Sequence, residues 1–250
     1  MIHSKIVSRL IKLLKFSLSK DQLSNHKFQN KNQVTNADIV IRLLKDKNFY
    51  PHFIVDVGCG YGEWTKKLLK IFPSSKYFLY DADKNNYEKL NILKSKNKNV
   101  DFKICLLSND SKTYKFFNMG YGSSIFEEQT THKRNVEELV STTLHNELPN
   151  ELKKKTNNLI KLDVQGAELK ILDGLKDLIN SFEIIILEVS LHNYNKDSPL
   201  FDKIIDYMTK KNFRMYDLFD LKRLGNDKSF LVQFDCVFVK QNSKLLNVKF

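Results

Sequence analysis

Two hydrophobic periodicities alternate along the chain. Short β-branched or aromatic runs bounded by turn residues predict strands, and stretches with an apolar residue every three to four positions predict helices. Residues 2–20 place Ile6, Leu10, Leu13, Leu14 and Leu18 on one face with Arg9, Lys12, Lys15 and Lys20 interspersed, a basic amphipathic helix. A polar loop is expected over 20–36, a second helix over 37–47, and Pro51 marks entry to the main domain. The first strand is Phe53-Ile54-Val55, and the helix after it shows Trp64, Leu68, Leu69 and Phe72 on one face before Pro73 stops it. A strand at 77–81, a helix at 85–96, a strand at 100–107 and a short strand at 112–117 follow. Residues 120–124 read as a flexible connection and 134–148 as a stretch of mixed pattern. Beyond it come a strand at 159–163, a helix at 167–179 and a strongly apolar strand at 182–189. A helix at 198–211, with Pro199 in its first turn, leads to an antiparallel pair at 213–219 and 230–240. Alternating β/α units closed by a hairpin predict an α/β fold with helices on both faces of a sheet. The expected division is 1–50 as a helical extension and 51–250 as the main domain.

Between the first strand and its helix, residues 53–62 read F-I-V-D-V-G-C-G-Y-G, with Gly58, Gly60 and Gly62 at alternate positions. A strand–glycine turn–helix puts backbone N–H groups and a helix N-terminus at the carboxyl edge of the sheet, where a nucleotide-like ligand sits. The dinucleotide fingerprint G-x-G-x-x-G fails, because its third glycine falls at Glu63. The spacing D-x-G-x-G-x-G instead resembles the first motif of Rossmann-like methyltransferases that bind S-adenosylmethionine (AdoMet). That cofactor has no pyrophosphate, but its tail carries an ammonium and a carboxylate that backbone groups must meet closely, and glycine allows the approach. Asp56 supplies a negative charge that orients the turn or the ammonium. The plain alternative is a glycine-rich turn with no ligand.

Composition narrows the partners. The chain has 250 residues and a net charge of +12 from 41 basic and 29 acidic residues. Residues 1–50 hold ten Lys/Arg and three Asp/Glu, or +7 of that +12, so the basicity belongs mostly to the N-terminal segment and is discounted as a nucleic-acid signal. Cys59, Cys105 and Cys236 form no C-x-x-C pair and no metal-like spacing, which points to a reducing cytoplasm. The 2–20 helix is too short and too charged to span a membrane. It suits either peripheral contact with an anionic membrane or packing on its own domain or a partner subunit.

Two further blocks, I-K-L-D-V-Q-G-A-E-L-K-I-L-D-G-L within 158–175 and I-I-L-E-V-S some 25 residues on, resemble the FkbM family of AdoMet-dependent methyltransferases, as does N-F-R-M-Y-D-L-F-D later. The resemblance covers 51–240. It implies a Rossmann-like class I fold whose seven-stranded sheet runs 3-2-1-4-5-7-6, and O-methylation of a hydroxyl on a sugar, glycan or natural-product acceptor. The sequence departs from the family where Cys59-Gly60 stand for Ala-Asn, Asp81-Ala82 for Glu-Pro, Gln165 for Glu and His145 for Asp. The expected cofactor site is Asp56, Gly58, Cys59, Gly60 and Gly62 at the turn and Asp81 with Ala82 at the ribose diol. Leu107 and Ser108 are expected to border the adenine.

Methyl transfer to an alcohol needs aligned reactants and an acceptor for the hydroxyl proton. Asp163, at the end of the fourth core strand opposite the glycine turn, is the expected catalytic group, with Lys161 on the same face two residues earlier. Glu188 and His192, at the end of the next core strand, are its rivals. The bland readings are a turn or cap role for Asp163 and an exposed loop position for His192. Glu168, in the first turn of a helix, reads as a capping residue. No metal is expected, since Asp163 and Glu188 lack a third carboxylate placed by the sequence. An RNA methyltransferase is the rival function. However, D-V-Q-G stands where base-amine enzymes carry Asp/Asn-Pro-Pro-aromatic, and Glu188 where ribose enzymes commonly place lysine. A non-catalytic AdoMet-fold scaffold is the second rival.

Overall fold

The computed structural model describes residues 36–247 other than 121, 194 and 226. The helix expected over 2–20 and most of the loop after it lie outside the described residues. The first described helix, α1 (Ala37–Asp46), is opened by Asn36, whose side chain accepts from the Ile39 N–H. Its buried residues Ala37, Val40, Ile41 and Leu44 follow helical spacing and enter a core shared with the sheet. All the described residues accordingly belong to one compact unit.

The chain then runs β1 (Phe53–Val57), α2 (Glu63–Ile71), β2 (Lys76–Asp81), α3 (Tyr87–Lys96) and β3 (Val100–Ile104). Next come β4 (Leu106–Leu107), β5 (Thr113–Asn118), β6 (Asn135–Thr142), and the one-turn helices α4 (Leu144–Glu147) and α5 (Asn150–Lys153). The remainder is β7 (Asn158–Leu162), α6 (Glu168–Asp173), β8 (Phe182–Ser190), α7 (Phe201–Lys210), β9 (Phe213–Leu224) and β10 (Phe230–Lys240). Seven strands form one sheet in the order β3-β2-β1-β7-β8-β10-β9, with only β10 antiparallel to its neighbours. This is the order 3-2-1-4-5-7-6 of class I methyltransferases. Both faces of the sheet are covered, which explains why β1 and β7 are buried at every position instead of alternating with polar residues. Along β1, Phe53, Val55 and Val57 enter one core and Ile54 the other, as a two-residue repeat requires.

Four sequence expectations are corrected. The strand expected over 100–107 breaks at Cys105: β3 stays in the main sheet, whereas β4 pairs in parallel with β6. The mixed stretch after 134 is β6 and α4, and β4-β6-β5 form a separate three-stranded sheet. The helix expected over 167–179 ends at Asp173, and a 3-10 turn spans Lys176–Ser181. Pro199 precedes α7, and β9 runs on to Leu224, carrying Lys222 into the sheet from what reads as a connecting loop.

A cleft at the carboxyl edge of the sheet

Parallel pairing of β1 with both β2 and β7 brings three strand ends together. The Gly58 and Cys59 N–H groups donate to the Tyr80 carbonyl at 2.9 and 3.2 Å, and the Asp163 N–H donates to the Val57 carbonyl at 3.0 Å. Gly58 is left-handed (φ +72°), and a Cβ there would lie 2.0 Å from the Asp163 carbonyl oxygen. Gly60 is also left-handed (φ +53°), but a Cβ there would meet nothing within 4 Å. The first glycine thus lets two strand ends touch, and the second leaves an open cradle.

Around that cradle is a cavity of about 290 Å³. Gly58, Cys59 and Gly60 line it with Asp81, Ala82 and Leu107, and the far wall carries Asp163, Gln165 and Lys222. Gly120, Gly122, Ser123, Ser124 and Ile125 also line it, so the connection expected over 120–124 borders the site. The Ser124 hydroxyl and the Asn195 amide both donate to the Gln165 carbonyl, at 2.8 and 2.9 Å.

Asp81 ends β2 with both carboxylate oxygens in use. One accepts from the Gly60 N–H at 2.7 Å, the other from the Asp83 N–H at 2.8 Å and the Asn86 amide at 3.0 Å. The oxygen bonded to Gly60 keeps a further lone pair for a ribose hydroxyl, while both lone pairs of the other are taken. Burial raises the Asp81 carboxyl, and the three hydrogen bonds oppose the rise. Asp56 is buried under the turn, where it accepts from the Thr65 hydroxyl of α2 at 2.6 Å. Burial pushes its carboxyl up to about 6 against the attraction of Lys161. It therefore fastens α2 to β1. Ser108, expected at the adenine, is fully buried: its N–H donates to the Thr142 carbonyl, and it is not part of the cleft wall.

The far wall is an ionic network drawn from four strands. The Lys161 ammonium on β7 lies 2.7 Å from Asp163 and 3.9 Å from Asp235 of β10. Burial would discharge it, yet Asp163, Asp235 and Asp56 together lift it above the ordinary lysine range. Burial would likewise raise Asp163, but Lys161 and Lys222, with a bond from the Gln165 amide at 3.1 Å, outweigh it and hold the carboxyl down at about 2. Glu188, inside β8, accepts from Lys222 and Gln165 and is 4% exposed. Its burial, reinforced by Asp163 and opposed by Lys222, pushes the carboxyl up to about 8. Asp163, Glu188 and Asp235 bring carboxylate oxygens within 4.8 Å of one another, with two ammonium groups seated among them. Asp235 is the third carboxylate that the sequence did not place. Its signal was available, since a charged side chain in the apolar run F-L-V-Q-F-D-C-V-F-V requires a buried partner.

Of the three expected catalytic groups, Asp163 alone lines the cleft. Glu188 lies behind Gln165 and Lys222, because β8 continues to Ser190 and keeps it inside the sheet. His192 is exposed and stacked on Phe230 with ring centroids 4.3 Å apart. Glu168 caps the turn after β7, accepting from the Val164 and Gly166 N–H groups at 3.1 and 3.2 Å. At the other wall Trp64, in the first turn of α2, has its indole Nε1 buried without an acceptor among the described residues. A cradle that a Cβ would fill, a carboxylate with a free lone pair for a ribose hydroxyl and an orphaned donor suit AdoMet. No diphosphate-binding glycine spacing competes with it.

The three-dimensional likeness is to methyltransferases, at low identity. A precorrin-6Y C5,15-methyltransferase from Geobacter metallireducens is 10% identical over 90% of this chain and 97% of its own, with a TM-score of 0.45. A putative RNA methyltransferase from Pyrococcus horikoshii is 10% identical over 88% and 92%, TM-score 0.46. An rRNA methylase from Streptococcus thermophilus is 12% identical over 81% and 94%, TM-score 0.45. Such values carry no argument about substrate. A search of curated proteins finds no match. The methyltransferase FkbM domain, by contrast, matches residues 45–215, from the end of α1 into β9 and across every strand that lines the cleft before Lys222. With the strand order and the glycine cradle, that match places the chain in the FkbM family of AdoMet-dependent methyltransferases.

Proposed function

We propose that the chain methylates a hydroxyl oxygen of a small-molecule or glycan acceptor, with Asp163 as the group that meets the hydroxyl. The observation behind this reading is that Asp163 is the exposed member of an otherwise buried carboxylate cluster, with its side chain 29% accessible and facing the cleft. Lys161 keeps it ionised, so it only accepts hydrogen bonds, as an incoming O–H requires. Bound AdoMet supplies an electrophilic methyl group. Asp163 orients the hydroxyl toward that group and would receive its proton as the O–C bond forms and the methyl–sulfur bond breaks, with S-adenosylhomocysteine as the leaving group. Positioning carries most of the rate, because a carboxylate held at about 2 aligns a hydroxyl better than it deprotonates one.

The test is incubation of the full chain, and of Asp163→Ala, with methyl-tritiated AdoMet and a cell extract from a deletion strain. The expected product is a nuclease-resistant methyl ether on a saccharide or small molecule, formed by the wild type and lost in the variant, while S-adenosylhomocysteine binds both. Label that nuclease removes would establish the RNA rival. Full activity in Asp163→Ala would remove this residue from the chemistry.

A further inference from the structure

Trp64 stands one residue into α2 and lines the cleft beside the glycine turn. Its Nε1–H is shielded from water and has no acceptor among the described residues. An indole nitrogen can only donate, so an orphaned one in a ligand cleft marks where a ligand acceptor belongs. The Lys161 ammonium lies 5.9 Å from the centroid of the indole ring and is already committed to Asp163 and Asp235. Gly62, which caps α2, offers no side chain to the first-turn N–H groups, and these point the same partial positive charge at the turn.

The cofactor's parts sort themselves along this cleft. Asp81, at the β2 end, suits the ribose diol, and Leu107 lies on the adenine side. The amino-acid tail is left for the turn and the start of α2, and its carboxylate is the anionic group of AdoMet. We infer that the Trp64 indole N–H receives the tail carboxylate and so fixes the direction in which the cofactor lies. The inference rests on the AdoMet seat alone and is independent of the acceptor proposed above.

Trp64 is the sole tryptophan of the chain, so its emission reports on this contact without labelling. The experiment compares S-adenosylhomocysteine with its decarboxylated analogue, which keeps the adenosine and the ammonium, by calorimetry on the wild type and on Trp64→Phe. A hydrogen bond to a charged group predicts that removing the carboxylate from the ligand, or the N–H from the protein, weakens binding by about tenfold. Removing both costs little more than removing either, and in the wild type only the carboxylate-bearing ligand shifts the indole emission. Equal weakening of both ligands by Trp64→Phe would overturn the inference, leaving Trp64 as a wall. So would unchanged affinity for S-adenosylhomocysteine. Should Trp64→Phe fail to fold, the two wild-type emission titrations decide alone, and identical shifts refute the contact. Failure of the wild type to bind either ligand would instead refute the AdoMet seat itself.

Discussion

Gly58 and Gly60 lie two residues apart in one motif, yet alanine should damage different properties at each. Both positions are left-handed, so a Cβ costs about 1–2 kcal/mol at either one. At Gly58 the new Cβ also falls 2.0 Å from the Asp163 carbonyl oxygen and 2.8 Å from its carbon, which are backbone atoms held by β7 pairing. The strand ends must part, at a further cost of roughly 1–3 kcal/mol by analogy with overpacked cores. For a unit of this size each kcal/mol is worth about 2–4 °C, so Gly58→Ala should lower Tm by about 4–20 °C and Gly60→Ala by only about 2–8 °C. Binding should reverse the order of interest. The Gly60 Cβ projects into open cradle, and Gly60→Ala should weaken S-adenosylhomocysteine by about tenfold or more while the fold survives. Thermal melts with and without ligand, plus calorimetry, measure both effects. Equal Tm losses would refute the contact between strand ends, and a Gly60→Ala protein with wild-type affinity would refute the cradle.

Other consequences are as direct. Glu188 is raised from an ordinary 4.5 to about 8, so the folded state holds its proton more tightly and stability contributed by this group falls as pH rises between those values. Glu188→Gln removes that slope, and urea melts at pH 5.5 and 8.5 should show the variant gaining roughly 1–3 kcal/mol on the wild type at the higher pH; parallel losses would contradict it. Asp163 is shifted the other way, to about 2, so its stabilising charge is present above about 4 and is lost as pH falls through 2. Asp163→Asn should therefore be less stable than wild type at pH 7 and converge with it in acid. Burial lifts the Cys59 and Cys236 thiols well above their usual range and Cys105 to about 12, so iodoacetamide at pH 7.5 should modify the native chain slowly at all three. Rapid labelling of Cys59 would mean the turn opens.

The cofactor turn was legible because it is a local pattern, and the strand order was implied by the family resemblance. A β-branched run, an acid and alternating glycines suffice to place β1, its turn and α2, and the D-V-Q-G-A-E block places β7 and its cap. The far wall was not legible in the same way. Lys222 reads as part of a hairpin loop because L-K-R-L has no strong apolar alternation, and the pairing of Lys222 with Gln233 that makes it a strand residue is non-local. Ser108 was misplaced because the chain leaves the main sheet at Cys105, where β4 turns to pair with β6. Nothing within 100–107 marks that departure. Burial of Glu188 likewise depends on how far β8 extends beside β10.

Asp235 and Lys222 come from the closing hairpin, whereas the groups they neutralise, Lys161 and Glu188, are translated well before it. A nascent chain that has emerged only through β8 therefore holds Lys161 against Asp163 without Asp235, and buries Glu188 without Lys222. The donor cradle is complete by then in sequence but lacks its electrostatic backing.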